Sequence, residues 1–288
     1  MALATSDQPS KWKQAVLSLD RLPALSPTVA QILSRLARRN CEVRELAELI
    51  ERDPLLSGQI LGIANSAAFG RVNHISSVRS AILMVGLGPV RRFALARSIS
   101  NLFGRRKMAP SFSVKRFNLH SVATGMFVEL LAEYAPLADA ENAFLAGLFH
   151  DIGKLVIAVA VPEQYEEILA AATWTQESLL ESERRVLGTD HAELSALAVS
   201  HWGLGEPIRL AAAYHHAPDK SPAVAGKLSL AMAVSKIDAW VNAAGMSLLP
   251  LPAVQQEVPP LAFDGFTVDQ ETLIERFTAE WTTVGAMF

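Results

Sequence analysis

One cysteine stands in a chain of 288 residues. Cys41 alone excludes intramolecular disulfides and any cysteine-rich zinc site, and it reads as an inert thiol. No apolar run approaches the length of a membrane span. The longest, Leu155 to Val161, follows Lys154 and stops at Pro162, so no membrane contact is expected. Met1 to Trp12 is polar and lacks an apolar h-region, so no secretory signal is expected and the location is expected to be cytoplasmic. Strand-like alternation of useful length is missing as well. Acidic residues are absent from Pro54 to Val128.

Across that acid-free stretch Arg71, Arg79, Arg91, Arg92, Arg97, Arg105, Arg106, Lys107, Lys115 and Arg116 contribute +10. Against a net charge of -3, about -13 is left for the rest of the chain. Two readings stand side by side: charges solvating scattered helix faces, or a surface for nucleic acid, a nucleotide or an acidic protein.

What is present is helical patterning. Half of the residues are apolar, enough for a substantial core. Ser26-Pro27 starts a helix to Arg39, and amphipathic spacing predicts others over 42–51, 55–64 and 75–85. Gly86-Leu87-Gly88-Pro89 turns into a fifth, ending near Phe103. Gly104 to Phe112 reads as a linker, and composition shifts on either side of it. Ser113 caps a helix to about Tyr134, and Asp139 is expected to cap the one carrying His150 and Asp151. Further helices are expected from Pro162, from Gln176 to Leu187, up to His201, from Glu206-Pro207 to His215, over Pro222 to Ala243, and near Val268 to Glu280. The expected fold is all-α. Its expected parts are a leader over 1–20, an N-terminal helical module over 21–105, a metal-site domain over 113–246, and an extension over 247–288 with a final helix.

The chemistry concentrates in Phe149-His150-Asp151-Ile152-Gly153-Lys154, inside an apolar segment. Three polar groups there are costly unless they satisfy one another or hold an ion. On a helix, Lys154 shares a face with His150 and Asp151, and Gly153 leaves room for a neighbouring element or a ligand. His120, His191, His215, His216 and Asp238 complete seven candidate ligands with His150 and Asp151. Imidazole with carboxylate suits divalent Fe, Mn, Zn or Ni, one or two ions, and such a site activates water and neutralises phosphate charge. Lys154 would then face a substrate phosphate or leaving oxygen. Each residue also has an ordinary structural explanation, down to a metal-free polar network.

A lone His, His-Asp-x-Gly-Lys, a further His, a His-His pair and a late Asp resemble the HD superfamily of metal-dependent phosphohydrolases. Leu22-Pro23-Ala24-Leu25-Ser26, Arg52-Asp53-Pro54-Leu55-Leu56, Ala64-Asn65-Ser66-Ala67 and Ile75-Ser76-Ser77-Val78 look like the opening motifs of HDOD proteins. Gly188-Thr189-Asp190-His191 and Trp202-Gly203-Leu204-Gly205-Glu206-Pro207-Ile208 add to the match, which covers about residues 20 to 245. The resemblance implies a bacterial, all-helical signalling or regulatory module, acting through protein contacts downstream of a receptor or response regulator. It also implies that His120, His150, Asp151 and Asp238 form the core metal site. His191, His215 and His216 would form a second site, as in HD-GYP phosphodiesterases. Two features depart from those enzymes: Ala217-Pro218-Asp219-Lys220 lacks the Gly-Tyr-Pro signature, and Arg116 stands where a Glu would support a third metal. The alternative expectation is a working phosphohydrolase, with Asp151 and Lys154 catalytic, acting on a nucleotide or cyclic dinucleotide.

His74 reads as a turn residue and His201 as a packing or solvent-facing one. Gly86-Leu87-Gly88 follows no strand and is too short for a nucleotide fingerprint. Asn65-Ser66 reads as a cap, and DNA is not the expected partner.

Overall fold

The computed structural model describes residues 22–25, 27–36, 41–69, 74–104, 106–174, 178–248, 258–263 and 265–288. The expected leader and its helix near Trp12 lie outside these. Among the described residues every regular element is a helix, and β pairing is limited to isolated bridges such as Leu137 with Leu228.

The N-terminal half packs α1 (Pro27–Leu36), α2 (Val43–Glu51), α3 (Pro54–Ala64), α4 (Val78–Val85) and α5 (Leu87–Phe103). The start signals act locally. Asp53 accepts from the Leu55 and Leu56 N–H groups, with Pro54 as the first helical residue, and Ser77 accepts from Ser80 N–H. Leu46, Ile50, Leu56 and Ile60 are fully buried, each contributing roughly 1.5–3 kcal/mol by its removal from water. Asn65 does more than cap. Its Nδ2 donates to Leu61 O and Ile75 O, and its Oδ1 accepts from Ile75 N–H, so it pins the entry to α4.

The second half holds α6 (Val114–Leu131), α7 (Ala143–Phe149), α8 (Ile152–Ala160), α9 (Pro162–Trp174), α10 (Leu179–Leu187), α11 (His191–His201), α12 (Glu206–Tyr214), α13 (Leu230–Val241) and α14 (Gln270–Gly285). Ser113 caps α6, Ser178 and Glu181 form a capping box on α10, and Gly188 ends α10 in the left-handed conformation at φ 74°. A single buried apolar cluster runs through both halves. Trp202 Nε1 donates to Pro23 O at 3.0 Å, so two of the quoted motifs, 179 residues apart, meet directly. Residues 140–160 are long and apolar enough to cross a membrane by length and composition, but 83% of the most apolar window is buried inside the protein.

Three local expectations change. Asp139 adopts a left-handed backbone (φ 52°) and sets a turn; α7 begins at Ala143 without a side-chain cap. His150 and Asp151 do not lie within one helix: they form the joint between α7 and α8, where Asp151 has φ -106° and ψ 9°. The helix expected over Pro222 to Ala243 begins at Leu230, where Ser229 caps it; Gly226 at φ 67° turns the preceding segment, and Leu228 pairs with Leu137.

The acid-free stretch meets its counter-charges across the fold. Arg91 donates to Glu129 Oε1 at 2.5 Å, and Arg92 contacts Glu129 Oε2 at 3.0 Å and Glu280 at 2.7 Å. Arg91, Arg92 and Glu129 are buried, so this network locks α5 to α6 and α14. Those two arginines therefore belong to the interior. Arg79, Arg106, Lys107, Lys115 and Arg116 remain exposed.

Candidate metal centre

The seven candidate ligands come from separate elements and meet in one place. α6 supplies His120, the α7–α8 joint supplies His150 and Asp151, and α13 supplies Asp238. His191 is the first residue of α11, directly after its cap Asp190, and His215 and His216 follow the end of α12. Two groups form. In one, ligand atoms of His120, His150, Asp151 and Asp238 lie within 4.8 Å of one another; in the other, those of His191, His215 and His216 do.

Asp151 stands between the groups. Its Oδ2 is 3.4 Å from His120 Nε2 and 3.5 Å from His150 Nε2. Its Oδ1 is 3.3 Å from His191 Nε2 and 3.7 Å from His215 Nε2. Asp238 Oδ1 closes the first group, 3.1 Å from His120 Nε2 and 3.5 Å from His150 Nε2. His191 Nε2 and His216 Nε2 are 2.8 Å apart. His120, His150, Asp151, His191 and His215 are almost wholly buried, whereas His216 is exposed and forms the outer edge.

The far side of each buried imidazole sets its tautomer. His120 Nδ1 faces Met246 O, His150 Nδ1 faces Gly147 O, and His215 Nδ1 faces Ala212 O, at 3.1, 2.7 and 2.8 Å. His191 Nδ1 lies 2.6 Å from Glu183 Oε2, which also accepts from His191 N–H at 2.8 Å. Four Nδ1 atoms donating outward leave four Nε2 lone pairs directed inward, as metal-binding histidines require. Such lone pairs repel one another and the two carboxylates unless a cation or proton lies among them.

A divalent ion fits this donor set. Asp151 Oδ1 and His215 Nε2 are buried acceptors without a hydrogen-bond donor, a condition that costs about 1–3 kcal/mol per group. Charge is shared unevenly. Burial opposes ionisation of Asp151, but the Lys154 ammonium, with His150 and His120 beside it, outweighs burial and holds the carboxyl well below its usual range. Burial likewise opposes a proton on His120, yet Asp151 and Asp238 raise it to about 9. His191 is driven far the other way by burial and by Lys154, and so is neutral.

Lys154, expected to face a substrate, directs its Nζ to Asp151 Oδ2 at 2.6 Å. Arg116 is exposed on the first turn of α6, and His74 and His201 are exposed, apart from the cluster. Two supporting groups escaped the sequence reading. Burial pushes Glu183 up to about 8, although it keeps His191 N–H as a donor. Asn242 Nδ2 donates to Asp238 Oδ1 at 2.9 Å and orients that carboxylate. One signal for Glu183 was present: it lies between Leu179 and Leu187 on the same α10 stripe, an acid where a leucine would be expected.

Comparison with known proteins gives a family from one match and the fold from others. The model of a family described as HDOD domain matches residues 22–218. An uncharacterised protein of Treponema pallidum is 26% identical over 209 residues, covering 69% of this chain and 38% of that protein. The chain thus spans only 38% and 30% of the lengths of the curated relatives it matches. An HDOD domain protein of unknown function from Geobacter sulfurreducens superposes with a TM-score of 0.71 at 21% identity, over 96% of this chain and 98% of that one. A protein of Shewanella amazonensis, named as a candidate phosphohydrolase, does so with a TM-score of 0.67 at 22% identity, over 95% and 96%. At these identities the structural likeness establishes the fold.

Proposed function

This chain belongs to the HDOD family, and on that premise we propose that it is a signalling module with a retained divalent-metal site. The supporting observation is the inward convergence of four imidazole Nε2 atoms on Asp151, with Asp151 Oδ1 and His215 Nε2 lacking any donor. His120, His150, Asp151 and Asp238 would hold one ion, and His191, His215 and His216, with Asp151 Oδ1, a second. Fe, Mn, Zn and Ni suit the ligand set. A bound divalent ion supplies Lewis acidity and lowers the pKa of a coordinated water. Around it the chain does the rest: Asp151 joins the two groups, Lys154 fixes one of its oxygens, and Glu183 holds the His191 tautomer. Signalling would pass through contacts with a protein partner.

A second reading, a phosphohydrolase acting on a nucleotide or cyclic dinucleotide, is favoured by the exposed edge at His216. That edge gives an anionic group access to the second set of ligands. Lys154 would then share its charge between Asp151 and the substrate.

Elemental analysis of protein purified without added metal or chelator tests the first reading. One or two equivalents of a transition metal, lost in His150→Ala and Asp151→Ala, are expected. Metal content unaffected by both substitutions, or none after anaerobic reconstitution, overturns it. Turnover of phosphate esters by the metal-loaded protein decides for the second.

A further inference from the structure

A cavity of about 490 Å³ lies away from the metal centre, where α3, α5, α6 and the C-terminal residues 286–288 meet. Its volume falls in the range of ordinary small-molecule sites. Its apolar lining includes Phe93, Val114, Met287 and Phe288, with the Phe93 and Phe288 rings 5.0 Å apart. Interleaved with these are Gln59, Arg97, Lys115 and Asn118, Arg97 standing one turn after Phe93 on α5.

Among the described side chains, the charge lining this cavity is of one sign. Among the described residues no Asp or Glu side chain lines it, because those residues come from the acid-free stretch and from 286–288. Neither Arg97 nor Lys115 has an ion-pair partner within 4.0 Å among the described residues, whereas the buried Arg91 and Arg92 on the same helix are paired. Among the described residues, the polar contact of the Arg97 guanidinium is a long 3.4 Å approach of Nε to Gln59 Oε1. Burial holds this guanidinium below its ordinary value. A half-buried cation with no ion-pair partner among the described residues, set among apolar side chains, suits an anion with an apolar body.

We propose that this cavity binds a small amphipathic organic anion. Its carboxylate, phosphate or sulfonate lies on Arg97 and Lys115, and its aromatic or acyl body lies against Phe93 and Phe288. The ligand would touch the N-terminal bundle, the C-terminal residues and α6 together. On α6, Asn118 precedes the metal-site residue His120 by two positions.

Fluorescence titration of the full chain with 8-anilinonaphthalene-1-sulfonate tests this. One-to-one saturable binding is expected, weakened about tenfold or more in Arg97→Gln/Lys115→Gln. The neutral analogue N-phenyl-1-naphthylamine should not distinguish that double variant from the parent. A Cβ at Gly62, which lines the cavity, meets no atom within 4 Å, and the same holds at Gly58, which does not line it. Gly62→Phe should therefore abolish binding with the fold kept, and Gly58→Phe should leave it intact. Unsaturable binding, or a dye affinity unchanged in Gly62→Phe, overturns the proposal even if the double variant fails to fold.

Discussion

The backbone of Gly153 lies so close to His191 that a Cβ built on Gly153 would fall 2.1 Å from the His191 carbonyl oxygen. Gly153 N–H also donates to Ser195 Oγ at 2.8 Å. The glycine of the His-Asp-x-Gly-Lys segment is thus the contact that brings α11 against α8 and sets His191 opposite Asp151.

Gly153→Ala should therefore be far from conservative. The methyl meets backbone, which cannot rotate away, so α8 and α11 must separate at a cost of about 3 kcal/mol or more. A fall in melting temperature, with loss of any metal held by His191, is expected by calorimetry and elemental analysis. A variant melting like the parent would show that the helices tolerate separation.

Glu183→Ala should act on one half of the centre. His191 would lose the acceptor that fixes its Nδ1–H, and its backbone N–H would lose a partner. Metal affinity at the His191, His215 and His216 group should fall by about 10–100-fold. The His120 and Asp238 group should keep its affinity. Chelator competition resolving two classes of ion checks this, and Glu183→Gln should restore most of the loss because its carbonyl still accepts.

Glu129→Ala should destabilise the whole protein rather than the centre. It leaves Arg91 without its buried carboxylate and Arg92 with Glu280 alone, a loss on the order of 3–5 kcal/mol. Denaturant unfolding should show the midpoint falling without a matching loss of helix content in the folded state.

Cys41 should be silent to thiol reagents. It is buried, and burial together with Glu45 raises its pKa from 9.0 to about 11. The folded state keeps the proton that the unfolded chain releases, so stability from this group is full below pH 9 and declines between pH 9 and 11. Ellman's reagent at pH 8 should react only after denaturant is added. Rapid labelling of the native protein would contradict the assignment.

Much of the local structure was legible. The Ser113 cap, the turn at Gly86 into α5 and the start of α12 at Glu206-Pro207 are chemistry between residues a few positions apart. Asp139 and the 222–229 segment were not. In the first, a left-handed backbone overrides a good capping side chain. In the second, Gly226 at φ 67° turns the chain and the Ser229 cap sets the helix start at Leu230, beside the Leu228 bridge to Leu137.

The sequence by itself determined the helical class, the residue types of the centre and the need for a glycine beside them, because periodicity, caps and ligand chemistry are written in residue order. Tertiary structure alone decided that Asp151 turns one oxygen to each group of histidines, and that Glu183 and Asn242 hold the ligands from behind. It also decided that Arg91 and Arg92 spend their charge inside the fold on Glu129 and Glu280, while Arg97 beside them meets a cavity. Such pairings join residues far apart in the chain, and only packing of the helices sets which side chains face each other.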